Sequence, residues 1–224
     1  MEIRDQFDKD VLNNIKSLGE DKALYDLTRK WTCECGKYNY VYNFSWLGIP
    51  IIQYPQDVVA LQEIIWKVKP DLIIETGIAW GGSIILSSSI LGLLEDCNKI
   101  TNGKVLGIDI DIRAHNKKAI LAHPMSKRIT LFEGSSVDDE MIIKVKNFAK
   151  DYERVLVCLD SNHTHEHVLA ELNAYAPLVT KDSYCIVFDT CIEDTPDEFY
   201  TDRPWCKGDN PKTAIREFLK TNKD

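Results

Sequence analysis

The chain has 224 residues, 44% of them hydrophobic, and a formal charge of −8. That length suits one α/β domain with a buried sheet and is short for two. The acidic balance and the lack of a basic stripe argue against nucleic acid as a partner, and no apolar run approaches the roughly 20 residues needed to cross a bilayer.

The opening MEIRDQFDKD is charged and carries no apolar signal core, so a cytoplasmic protein is expected. Seven cysteines is an odd number. Cys33 and Cys35 sit two apart without a second pair to complete a zinc site, and Cys158, Cys185 and Cys191 lie in or beside apolar runs. All seven are expected to be reduced thiols.

Residues 1–45 read as an N-terminal extension, and 46–224 as the main domain. In the extension Val11, Leu12, Ile15 and Leu18 make a short helical stripe, and an aromatic-rich stretch runs from Trp31 to Trp46. The extension is expected to pack on the main domain or on a partner subunit. From Pro55 the pattern is regular. Gln56–Val68 reads as a helix, Asp71–Glu75 as a buried strand, and Gly82 to about Leu94 as a helix after a glycine turn. Lys104–Asp109 is a second strand and Ile112–Ala122 a helix. Ile129–Glu133 is a third strand and Val137–Lys150 a helix. Arg154–Asp160 is a fourth strand, with a helix through about Tyr175. Ser183–Asp189 is a fifth strand, and Lys212–Lys220 the last helix. Continuous apolar strands alternating with helices imply a doubly wound α/β fold with a mostly parallel sheet.

In such folds ligands bind at the carboxyl ends of the strands, near the switch point. Here the strands run out into Glu75, Asp109, Glu133, Asp160 and Asp189. Packing does not account for a carboxylate at every exit; a polar ligand, with or without a metal, does.

The first exit is Glu75-Thr-Gly-Ile-Ala-Trp-Gly-Gly-Ser83. Gly77 can take a backbone conformation closed to other residues. Gly81 and Gly82 would let the chain approach a ligand as the helix begins, and Ser83 could cap that helix or bond the ligand. The spacing is not G-x-G-x-x-G, which argues against a nicotinamide dinucleotide. An acid two residues before the first glycine suits a ligand with an ammonium group, such as the methionine part of S-adenosylmethionine. Asp109 could accept both ribose hydroxyls.

Asp160 and Asp189 leave strands expected to be near one another, and together form an oxygen site suited to Mg²⁺. A metal there would bind a substrate hydroxyl and lower its pKa. His163, closest to Asp160, is the candidate general base. His163, His165 and His167 also raise the alternative of a metal-dependent hydrolase, although Glu166 falls directly before the third histidine rather than in the H-x-H-x-D-H order.

The segments WLGIPIIQYPQDVVALQEIIWKVKPDLIIETG, GIDIDIRAHN, EGSSVD, VCLDSNHTHEHVLAEL and FDTCIEDTP resemble the cephalosporin hydroxylase / rhamnosyl O-methyltransferase family over about residues 45–221. The resemblance implies a class I methyltransferase fold and S-adenosylmethionine near Glu75, Gly77, Gly81, Gly82, Ser83 and Asp109. It places Ser135 or Ser136 close to the adenine, and a divalent metal near Asp160 and Asp189. It also favours a sugar or other small-molecule hydroxyl as acceptor. Some members carry Glu-Asp where this chain has Phe188-Asp189, which leaves Thr190, Asn162 or His163 as third contacts to a metal. The sequence leaves no segment after the last helix for the final antiparallel strands of that fold. A sheet without them, an edge covered in a homo-oligomer, or a non-catalytic cofactor-binding protein are the corresponding expectations.

Overall fold

The computed structural model describes residues 2–196 and 199–222. The chain forms two compact units, one up to Tyr40 and one from Val41 onward. The first holds two helices, α1 (Glu2–Glu20) and α2 (Lys22–Gly36). Asp21 caps α2 by accepting from the Leu24 amide at 2.9 Å. The stripe read from Val11, Leu12, Ile15 and Leu18 lies on α1, and all four side chains are exposed.

The second unit begins with an antiparallel hairpin of β1 (Phe44–Trp46) and β2 (Ile49–Ile51). Sequence reasoning did not separate this hairpin from the aromatic stretch. Its turn needs positive φ at both central residues, supplied by Leu47 (47°) and Gly48 (86°), and leucine is a poor signal for that geometry. There follow α3 (Pro55–Val68), β3 (Leu72–Thr76), α4 (Gly82–Asp96), β4 (Lys104–Asp109) and α5 (Ala114–Ala122). The chain continues through β5 (Ile129–Glu133), α6 (Asp139–Ala149), β6 (Val155–Leu159), α7 (His165–Tyr175), β7 (Cys185–Val187) and α8 (Pro211–Thr221).

The five strands β3 to β7 form one sheet in the order β5-β4-β3-β6-β7, and every pairing is parallel. This is the doubly wound α/β sheet expected from the alternation. No antiparallel strand joins it among the described residues. β7 is shorter than the predicted Ser183–Asp189. Asp182 (φ 65°) and Asp189 (φ 55°) turn left-handed on either side, so only three residues stay extended against β6.

Alternate side chains divide the core, as the two-residue strand period requires. Ile73, Val105 and Leu156 pack with α3 and α4 on one face, through Leu61, Ile65, Ile85 and Leu91. Leu72, Ile74, Leu106, Val155 and Val157 pack with α6, α7 and α8 on the other, through Val145, Leu172, Tyr175 and Ala214. The chain leaves β3 toward β4 and β5 on one side, and returns to β6 and β7 on the other. The switch point therefore lies between β3 and β6, whose carboxyl ends carry Glu75 and Asp160.

Candidate active site

The turn after β3 is held by the protein from three sides. Gly77 (φ 78°) and Gly81 (φ 94°) take left-handed conformations, as does Ala79 (φ 43°). A side chain on Gly77 would fall on the Asp160 carbonyl and the Ser161 Cα, so the turn lies directly against the exit of β6. Where side chains would sit on Gly81 and Gly82, the neighbours are the Ile120 side chain, and the Pro50 carbonyl with the Ile51 Cβ, respectively. Close packing of α5 and the hairpin, with the left-handed φ of Gly81, leaves no room for side chains at these two positions.

Glu75 is buried and accepts a short hydrogen bond from the Ser83 hydroxyl. Burial pushes its carboxyl up to about 7, and the Ser83 bond pulls it part of the way back. Ser83 does not cap α4; Gly81 is the N-cap and no side-chain bond closes it. Asp109 braces the same turn: Oδ2 accepts from the amides of Ile78 (2.9 Å) and Ala79 (3.2 Å), and Oδ1 from Asp111 (3.1 Å). It lies at the end of β4 beside the turn, as the sequence spacing implied.

After β5, Ser135 is half-buried and Ser136 buried. The Ser136 hydroxyl donates to Glu171 at 2.6 Å.

Asp160, His163 and Asp189 meet at the exits of β6 and β7. One potential ligand atom from each lies within 4.8 Å of the others. His163 Nε2 is 3.2 Å from Asp189 Oδ2, and the ring meets Trp205 edge to face with centroids 4.6 Å apart. Arg203 lies over Trp205 in turn. Asp160 Oδ2 accepts from Gln53 Nε2 at 2.8 Å. Burial, then the nearby Asp189 and Glu75, hold the Asp160 carboxyl well above the usual carboxylate range. Two aspartates and an imidazole converging at this spacing fit a divalent cation, whose charge would offset that crowding.

A small cleft beside this cluster is lined by Gln53, Asp57, Glu75, Ser83, Asp160 and Phe188. Burial, then Asp189, raises the Asp57 carboxyl. Sequence reasoning missed Gln53 and Asp57 because it sought the site at strand exits, whereas Gln53 precedes α3 and Asp57 lies in its first turn. The one local signal was an acid in the first turn of a helix that opens with Pro55.

The three histidines do not converge. His163 turns to Asp189; His165 Nδ1 meets the Thr213 hydroxyl at 2.8 Å and Nε2 meets Glu217 at 3.2 Å; His167 Nε2 meets the hydroxyls of Ser136 and Ser161 at 3.2 and 3.1 Å. Because α7 starts at His165, His163 lies outside the helix and shares no face with His167. The hydrolase reading built on all three loses its geometric basis. Of the loop between Cys191 and Asn210, residues 197 and 198 lie outside the described residues. Cys158 is buried, and Cys185 and Cys191 are pushed up to about 12 chiefly by burial, whereas Cys97 and Cys206 are exposed.

A parallel sheet in this order, with a glycine turn at its switch point and an acidic cluster at the neighbouring exits of β6 and β7, is a doubly wound α/β domain with its ligand site at the carboxyl ends of the strands. The profile of the Rhamnosyl O-methyltransferase/CmcI family matches residues 38–224, and the chain belongs to that family. A rhamnosyl O-methyltransferase of Mycobacterium leprae is 26% identical over 160 residues, covering 70% of this chain and 66% of that protein. One from Mycobacterium tuberculosis is 27% identical over 153 residues, covering 68% and 59%. The chain thus spans about 59–66% of the length of these curated relatives. Among solved structures, CalS11, described as a TDP-rhamnose 3'-O-methyltransferase, aligns with a TM-score of 0.53 at 19% identity, covering 75% of this chain and 71% of its own. An O-methyltransferase from Bacillus cereus in complex with SAH aligns at 0.53 and 15% identity, covering 84% and 76%. These structures share the fold.

Proposed function

We propose that this chain is an S-adenosylmethionine-dependent O-methyltransferase acting on a hydroxyl of a sugar or other small molecule, with a divalent metal such as Mg²⁺. The observation that carries this reading is the meeting of Asp160, His163 and Asp189 within 4.8 Å beside the glycine turn of β3. Family membership and the names of the curated relatives support the reaction and a deoxysugar acceptor.

When bound, the cofactor supplies an electrophilic methyl group and the metal supplies Lewis acidity at the acceptor oxygen. Glu75, Gly77, Gly81, Gly82, Ser83 and Asp109 shape the cofactor end, with Ser135 and Ser136 on the adenine side. Asp160 and Asp189 would hold the cation, and Gln53 fixes the Asp160 carboxyl that does so. His163 would take the hydroxyl proton, and its Nε2 lies 3.2 Å from Asp189 Oδ2. Trp205 packs edge to face on the imidazole. Because methyl transfer is a displacement, holding the nucleophile in line supplies much of the rate.

The test joins calorimetric titration of S-adenosylmethionine, with and without Mg²⁺, to a transfer assay on deoxysugar acceptors. His163→Ala is expected to lower kcat by roughly 10²–10⁴-fold with cofactor affinity unchanged, and Asp160→Ala to abolish metal-dependent acceleration. Wild-type rates in both variants would overturn the mechanism. Absence of cofactor binding would overturn the class of reaction.

A further inference from the structure

The face of α7 that carries His167, Glu171 and Tyr175 at four-residue intervals is not explained by packing alone. Glu171 has no exposed surface. Its Oε1 accepts two hydroxyl hydrogen bonds, from Ser136 at 2.6 Å and from Ser161 at 2.7 Å. Its Oε2 has no hydrogen-bond partner among the described residues. One turn on, the Tyr175 hydroxyl donates to the Ser136 carbonyl. One turn back, His167 Nε2 lies 3.2 and 3.1 Å from the same two serine oxygens. Each hydroxyl has one proton, and both are given to Glu171. A hydrogen on His167 Nε2 would then donate to their lone pairs, and that nitrogen also lies 3.5 Å from Glu171 Oε1.

The two serines belong to different loops. Ser136 follows β5, on the proposed adenine side, whereas Ser161 follows Asp160 directly and lies against Gly77. A buried carboxyl with one oxygen unpartnered costs free energy that a hydrophobic side chain of similar size would not. What it does here is tie the loop after β5 to the loop after β6.

We propose that Glu171 is a positioning residue of the cofactor site: through Ser136 and Ser161 it sets the spacing between the adenine-side loop and the Asp160–Gly77 junction. This rests on the cofactor reading above. Glu171 touches neither of the proposed reacting groups, so its effect falls on affinity for the cofactor rather than on the chemical step.

The test measures the dissociation constant of S-adenosylhomocysteine by calorimetry, and the KM for S-adenosylmethionine against kcat. Proteins are the full-length wild type, Glu171→Gln, Glu171→Leu, Ser136→Ala and Ser161→Ala, each verified as folded by its circular dichroism and melting transition. Gln retains an oxygen that can accept both hydroxyls, and its affinity is expected within about threefold of wild type. Leu removes the acceptor, and about tenfold weaker binding is expected, with KM raised and kcat nearly unchanged. Ser161→Ala placed on Glu171→Leu should add little, because both changes remove one link. Folded Leu and serine variants that bind as wild type, or that lose kcat with KM unchanged, would overturn the inference. If Glu171→Leu does not fold, Ser161→Ala decides it by the same criterion. Failure of the wild type to bind would instead overturn the cofactor reading.

Discussion

At the scale of single residues, Glu75 carries the clearest electrostatic consequence. Its carboxyl is raised from about 4.5 in the unfolded chain to about 7 in the fold by burial. A carboxyl whose folded value lies above its unfolded value favours the native state at low pH. That contribution is complete below about 4.5 and is lost as pH rises through about 7. In the absence of cofactor, wild type is expected to lose up to about 3 kcal/mol between pH 5 and pH 8 relative to Glu75→Gln. Urea unfolding at the two pH values measures it; parallel pH dependence in the two proteins would contradict it. A ligand ammonium near Glu75 would reverse the effect by favouring the ionised form.

At the scale of elements, the segment from Asp209 to Glu217 binds α8 to the start of α7. Asn210 is buried and closes a capping box, its Oδ1 accepting from the Lys212 and Thr213 amides. Its Nδ2 donates to Glu193 at 2.6 Å and to the Cys206 carbonyl at 3.0 Å. The Asp209 carboxylate accepts from the His165 amide at 2.6 Å, the first turn of α7. Asn210→Ala removes the cap and leaves Glu193 short of a donor. A loss of about 2–3 kcal/mol is expected in urea titration, with faster amide exchange in α8 than in α4. The same elements show what the sequence discloses. The five parallel strands and their helices were legible because apolar runs and turn residues alternate along the chain. Asp160 and Asp189 were legible because each ends such a run. The β1–β2 hairpin was not, since Leu47 gives no turn signal. Nor was the role of Glu171, because an acid in an amphipathic helix reads as solvent-facing until the loops that bury it are known. The three histidines misled for a related reason: spacing alone did not tell where α7 begins.

For the whole molecule, the two units are of different character. The cores on both faces of the sheet draw on residues from Phe44 onward. Meanwhile Ile3, Phe7, Leu12, Ile15 and Leu18 of α1 are exposed, a stripe suited to the homo-oligomer expected from the sequence. Deleting residues 1–40 is expected to leave cooperative unfolding within about 1 kcal/mol of the full chain and to reduce the mass seen by light scattering to that of a monomer. An unchanged mass would remove the extension from assembly, and a non-cooperative melt would remove the independence of the second unit. The distribution of thiols across the fold has a practical consequence. A maleimide at neutral pH needs an accessible thiolate, which the interior position of Cys158 and the raised Cys185 and Cys191 deny it. Cys206 is exposed and follows directly on Trp205, the ring against His163. With Cys33, Cys35 and Cys97 replaced by serine, a fluorophore attached at Cys206 would report how the segment beside His163 moves as ligands arrive.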